Sequence, residues 1–214
     1  MRMHMNNRRQ EGFTLIELLI VIGIIGTLAA VLLPRILETD SVAKQAETEA
    51  TMLQLFHACN RFNQAEGYYP SDDFRYLRKG AGPALKGDNG HNSGIESFLA
   101  MVTLTRKSGT DLSALGDKLI NTDGDRQGAP MPLLDGNSSR MEVADGWRTP
   151  LAYFSKINMR KTQTMVLAPG EDPVQVKAKQ RPDGSYYGGR KFQFLSAGQD
   201  LTFGTDDDIV WPSN

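Results

Sequence analysis

The apolar and polar positions divide the chain into three stretches. Residues 1–12 are polar and basic. From Phe13 to Leu33 the chain is almost wholly apolar and carries one charged side chain, Glu17. As a helix at about 1.5 Å per residue, this stretch spans about 32 Å, close to the ~30 Å hydrocarbon thickness of a bilayer. Beyond Pro34 the pattern becomes amphipathic. Val42, Ala46, Ala50, Leu53 and Phe56 recur at three- or four-residue steps, and Cys59 and Phe62 extend the series. That spacing predicts a buried stripe, with Lys44, Glu47, Glu49 and Arg61 off it. Gly67 supplies a stop. The expectation is one long helix from Phe13 to about Glu66, bent or locally melted at Pro34, where a backbone N–H is missing.

After Gly67 the periodicity changes. Residues 80–94 are rich in glycine and polar side chains and read as an exposed loop. Residues 95–106 (IESFLAMVTLTR) predict a short helix, and 111–120 (DLSALGDKLI) a second. Runs at 146–155, 161–168 and 190–197 are enriched in aromatic and β-branched residues. In the last, Phe192 and Phe194 alternate with Gln193, the signature of a half-buried strand. PGEDP and RPDGS are turns between such runs. The fold class is therefore α+β: a long N-terminal helix packed on a small antiparallel β-sheet head.

Charge sharpens this picture at one end. The formal net charge is −1, so no broad basic surface for nucleic acid is implied. Arg2, Arg8 and Arg9 stand against Glu11 in the first twelve residues, and that basic flank predicts a cytoplasmic N-terminus. A cleavable secretory signal fits less well, because the apolar run exceeds the ~7–15 residues of such signals. The single cysteine, Cys59, allows no internal disulfide and reads as a small buried apolar residue. His57, beside the stripe, reads as a packing or surface residue. No nucleophile elbow, zinc-protease helix, phosphate loop or paired CxxC site is present, so a catalytic role is disfavoured.

A lone carboxylate in an apolar helix is costly and usually functional. The run Gly12-Phe13-Thr14-Leu15-Ile16-Glu17 resembles the processing site of type IV prepilins and type II secretion pseudopilins. The resemblance implies cleavage after Gly12 by a prepilin peptidase and N-methylation of Phe13. It implies a leader at 1–12, a transmembrane and polymer-core helix at 13–34, an amphipathic continuation at 35–66 and a periplasmic globular head at 67–214. The chain would be a single-pass protein of the bacterial inner membrane that self-assembles into a helical fibre, with other pseudopilins and an assembly platform as partners. The new α-amino cation of Phe13 would meet Glu17 of a neighbour. Opposite charges in low dielectric attract strongly, so this pair would set the subunit register. Gly23, Gly26 and Ala29-Ala30 offer positions for close helix approach.

Two acidic stretches are candidate metal sites. FLSAGQDLTFGTDDDIVW at 194–211 resembles the C-terminal calcium loop of major pseudopilins. Asp200, Asp206 and Asp207, with Ser196 and carbonyls such as those of Leu195 and Phe203, are the expected calcium ligands; calcium takes ~6–8 hard oxygen donors. The ion would staple the loop in place of a disulfide. In NTDGDRQG at 121–128, Asn121, Asp123 and Asp125 alternate as in the first half of a calcium loop. Its glycine comes at the fourth residue and Pro132 at the twelfth, against the order of an EF-hand. It reads as a polar turn, and a second ion there stays open. DGWRTPLAYFS matches the Asp-Pro-Trp-Gly-Asn-Pro stretch of major pseudopilins at Asp145, Trp147, Pro150 and Tyr153, and departs from it at Gly146, Arg148 and Thr149. Trp147 reads as a structural anchor.

The resemblance implies a structural subunit of a periplasmic pseudopilus for type II secretion. The alternative is a type IV pilin or minor pilin for adhesion, motility or DNA uptake. A membrane-anchored enzyme or binding protein comes third. The region from about 75 to 142 is longer than a minimal pseudopilin needs.

Overall fold

The computed structural model describes residues 13–76, 88–104, 112–126, 139–189 and 191–213, with the side chains of 34–38, 76 and 113 left aside. Helix α1 (Leu15–Glu66) is 52 residues long. The chain divides within it into two compact units, Met1–Val42 and Ala43–Asn214. The helical assignment runs through Pro34 without a break, so the expected local melting does not occur. A proline costs one i→i−4 bond, and a long helix can ride over that loss.

In the first unit, Leu15–Leu33 is long and apolar enough to cross a membrane, and none of it is buried within the chain. From Val42 onwards, the buried face of α1 differs from the expected one. Val42, Ala46, Ala50 and Leu53 are exposed, whereas Thr48, Thr51, Met52, Leu55, Ala58, Cys59 and Phe62 are buried. The reason is local. Thr48 Oγ1 donates to the Lys44 carbonyl (2.8 Å) and Thr51 Oγ1 to the Glu47 carbonyl (2.8 Å), so both threonines enter the interior already satisfied. An apolar-periodicity reading scores threonine as polar and rotates the stripe. Cys59 is core, as expected, and burial pushes its thiol well up.

Helix α2 (Ser93–Leu104) is the predicted short helix, begun two residues early; 105–106 lie outside the described residues. The second predicted helix is instead a 3-10 segment, Ser113–Lys118, leading into β1 (Leu119–Ile120). Gly116, at φ 36°, interrupts it with a conformation that no α-helix accepts. β1 pairs antiparallel with β2 (Glu142–Val143). The main sheet has order β3 (Ala152–Ser155), β6 (Phe192–Ser196), β7 (Ile209–Trp211), antiparallel throughout. β4 (Thr162–Met165) and β5 (Val174–Lys177) form a separate hairpin.

Both faces of the β3–β6 pair are buried. Tyr153, Phe192 and Phe194 join Met52, Leu55, Phe62, Phe98 and Leu99 in the larger core. Ala152, Phe154 and Leu195 join Met165 and Val176 of the hairpin in a second core. The half-buried strand expected from Gln193 is therefore fully buried. Gln193 serves as a buried bracket: Lys179 N–H donates to Oε1 (2.7 Å), and Nε2 donates to the carbonyls of Lys179 (3.0 Å) and Tyr187 (2.9 Å).

Candidate functional site

The N-terminal end of α1 is shaped by Phe13, Thr14 and Glu17. Gly12 and the leader lie outside the described residues. Phe13 is 83% exposed, and the large apolar side chains from Leu15 to Leu33 are exposed with it. Thr14 and Glu17 close a capping box: Thr14 N–H and Thr14 Oγ1 donate to Glu17 Oε2 (2.9 and 2.7 Å), and Glu17 N–H approaches Thr14 Oγ1 (3.3 Å). Both bonds to the carboxylate fall on Oε2. Apolar periodicity does not reveal this local role, although Thr followed three residues later by Glu is its signal. A Cβ added at Gly23 or Gly26 would meet nothing within 4 Å, so their flat surfaces face outward.

The C-terminal loop between β6 and β7 is drawn together by Gly198 and Asp207. At φ 68°, Gly198 lies against the Asp207 carbonyl and carboxylate, where any Cβ would collide. Asp207 Oδ2 accepts from Asp200 N–H (2.9 Å) and Oδ1 from Thr205 Oγ1 (2.6 Å). Asp200 Oδ1 accepts from Thr202 N–H (2.8 Å). Asp200, Asp206 and Asp207 are exposed and Phe203 is half-buried. Ser196 and Leu195 are buried in β6. The Ser196 hydroxyl is committed to Asp145 Oδ2 (2.6 Å) and accepts from Gly198 N–H (3.1 Å). Asp208 turns inward, to Gly204 N–H (2.9 Å) and Lys179 Nζ (3.5 Å). The donor set is all oxygen and suits a hard cation, with Ser196 the member least free to contribute. Asp200 and Asp207 are brought together at one turn.

Asp145 is the centre of the DGWRTP stretch. Oδ1 accepts from the N–H groups of Trp147 and Thr149, both at 2.9 Å, so the residue shapes this turn and ties it to Ser196. Trp147 is half-buried.

Residues 7–33 match the family model of the prokaryotic N-terminal methylation motif. The chain carries that motif and is similar, at modest identity, to proteins of the pilin and pseudopilin family. It is 28% identical over 155 residues to the type IV major pilin protein PilA of Myxococcus xanthus, covering 71% of this chain and 68% of that one. It is 32% identical over 69 residues to the type II secretion system core protein G of Aeromonas hydrophila, covering 32% of this chain and 48% of that one. It is 54% identical over 43 residues to the narrow pilus major component PilA5 of Thermus thermophilus, covering 20% of this chain and 37% of that one. The chain thus spans less than half the length of the last two. No solved structure matches it. The family is one of structural proteins, and it implies self-assembly and processing by a prepilin peptidase.

Proposed function

We propose that the chain is a structural subunit that polymerises through α1 into a type IV pilus. One observation carries the choice within the family. The similarity to the Myxococcus xanthus pilin extends over 155 residues, far beyond the 52 of α1, so it takes in much of the head. The similarity to the secretion core protein covers 69 residues, little more than the helix is long. The alternative is a periplasmic pseudopilus for type II secretion, favoured by the acidic C-terminal loop and by a single cysteine, which allows no disulfide at that end. Deleting the gene and imaging cells separates the two. Loss of surface fibres with secretion intact supports the pilus; loss of secretion with surface fibres intact overturns it in favour of the pseudopilus.

In this reading the N-terminus lies in the cytoplasm, the span in the inner membrane and the head beyond it. Cleavage after Gly12 frees the amine of Phe13. Glu17 Oε2 holds Thr14, which leaves Oε1 to receive a neighbour's amine. The exposed side chains of Leu15–Leu33 supply the apolar surface that neighbouring helices cover in the fibre. Replacing Glu17 by Gln keeps a hydrogen-bonding side chain and removes the charge. Processed protein that accumulates in the membrane without fibres is the expected result. Normal fibres with normal axial spacing would remove the pairing from the mechanism.

The C-terminal loop takes calcium on Asp200, Asp206 and Asp207, with carbonyls such as those of Leu195 and Phe203, and Ser196 at its base. Its donor chemistry and the close seat of Asp207 on Gly198 support this. Calcium bound only by the folded form raises stability by mass action. A calcium-dependent rise in Tm of the full chain in detergent, smaller in Asp207→Asn, is expected. An equal rise in the variant would count against the loop.

A further inference from the structure

A second acidic centre shares no residue with α1's N-terminus or the C-terminal loop. Glu96 stands on the first turn of α2 and is 2% exposed, and neither of its carboxylate oxygens has a hydrogen-bond partner among the described residues. Asp123, from the turn after β1, and Glu142, from β2, reach the same place. One oxygen from each of the three lies within 4.8 Å of the others. Asp123 Oδ2 is also buried and without a partner. Glu142 is held rigidly: Asn92 Nδ2 donates to Oε1 (2.9 Å) and Thr122 N–H to Oε2 (3.1 Å). Asn92 is itself fixed, accepting from Val166 N–H (3.0 Å).

A neutral Glu96 is the competing account, since burial and the neighbouring carboxylates push its acid well up. A neutral carboxyl would still leave both oxygens without a donor among the described residues. The nearby cation does not fill the gap either. Arg140 Nε lies 3.3 Å from Asp125 Oδ2, and its guanidinium stacks on Phe74 at 4.3 Å. Asp125 and Asp88 form a second trio with Glu96, but the arginine already faces Asp125. Three carboxylates therefore converge, two of them with orphaned buried oxygens.

We propose that Glu96, Asp123 and Glu142 form a buried site for one divalent cation of the hard, oxygen-preferring class, for which calcium is the probe. The ion fastens the start of α2, the turn after β1 and the edge of β2 into one unit. The site does not depend on the function proposed above or on the C-terminal loop.

The test uses the full chain in detergent, stripped with chelator and titrated with calcium chloride by calorimetry, with Tm followed in parallel. Asp200→Asn with Asp207→Asn removes the loop's contribution. That double variant is expected to retain one calcium per chain. Adding Glu96→Gln, which keeps the side-chain volume, is expected to weaken the remaining binding at least tenfold and abolish the calcium-induced rise in Tm. The same substitution relieves repulsion in the empty site, so Tm in chelator should rise. Asp123→Asn reads out the same loss if Glu96→Gln does not fold. A double variant that binds no calcium, or Glu96→Gln and Asp123→Asn chains that bind it as well as their parent, overturns the proposal. Binding lost only with Asp200 and Asp207 assigns all calcium to the loop.

Discussion

Gly146 shows how a single missing side chain can hold two segments together. A Cβ there would run into the Lys44 carbonyl of α1, and its N–H donates to Thr48 Oγ1 (2.9 Å). Gly146→Val should lower stability by about 2 kcal/mol, measured by denaturant unfolding of the full chain, because backbone on both sides must yield. Gln193 is the polar counterpart. Gln193→Leu leaves the Lys179 amide and carbonyl without their partner and should cost about 1–3 kcal/mol. A Gln193→Leu protein as stable as the parent would show that water replaces the bracket. Tyr153 is buried and its hydroxyl donates to the Pro70 carbonyl (2.7 Å), so Tyr153→Phe should cost about 1 kcal/mol in the same assay. These roles were not legible in the sequence. Gly146 and Gln193 act through partners 102 and 14 positions away, distances that no local pattern reports. The Thr14–Glu17 box, three residues apart, was legible and needed only a capping rule.

Elements were legible where one period governed them. The length of α1 and the positions of α2, β3, β4 and β6 follow from apolar spacing and aromatic enrichment. The face of α1 departs from that spacing because Thr48 and Thr51 satisfy themselves within the helix. β5 is hidden for the opposite reason: of Val174–Lys177, only Val176 is buried, so the run carries too little apolar signal. Yet Val176 closes the second core with Met165, Phe154 and Leu195. Val176→Asp places an unpaired carboxylate there and should detach the hairpin, exposing the far face of β3–β6. Hydrogen exchange should then report faster exchange at Met165 and Leu195 with α1 still protected. Uniform protection would mean the hairpin does not cover that face.

For the whole molecule, the N-terminal address was the clearest feature and the head the least. Six residues there point to the family that the comparisons also indicate. The acidic centre at Glu96 draws on positions 96, 123 and 142, and only the middle one lies in a stretch whose spacing hints at a cation. Folding brings the other two to it. In the fibre proposed here, the cap on α1 also bears on disassembly. When a subunit withdraws, its carboxylate loses the neighbour's amine but keeps Thr14 on Oε2. The departing chain is not stranded with a bare charge in lipid. In that proposal the internal fallback lowers what it costs a subunit to leave, because its carboxylate keeps a donor throughout.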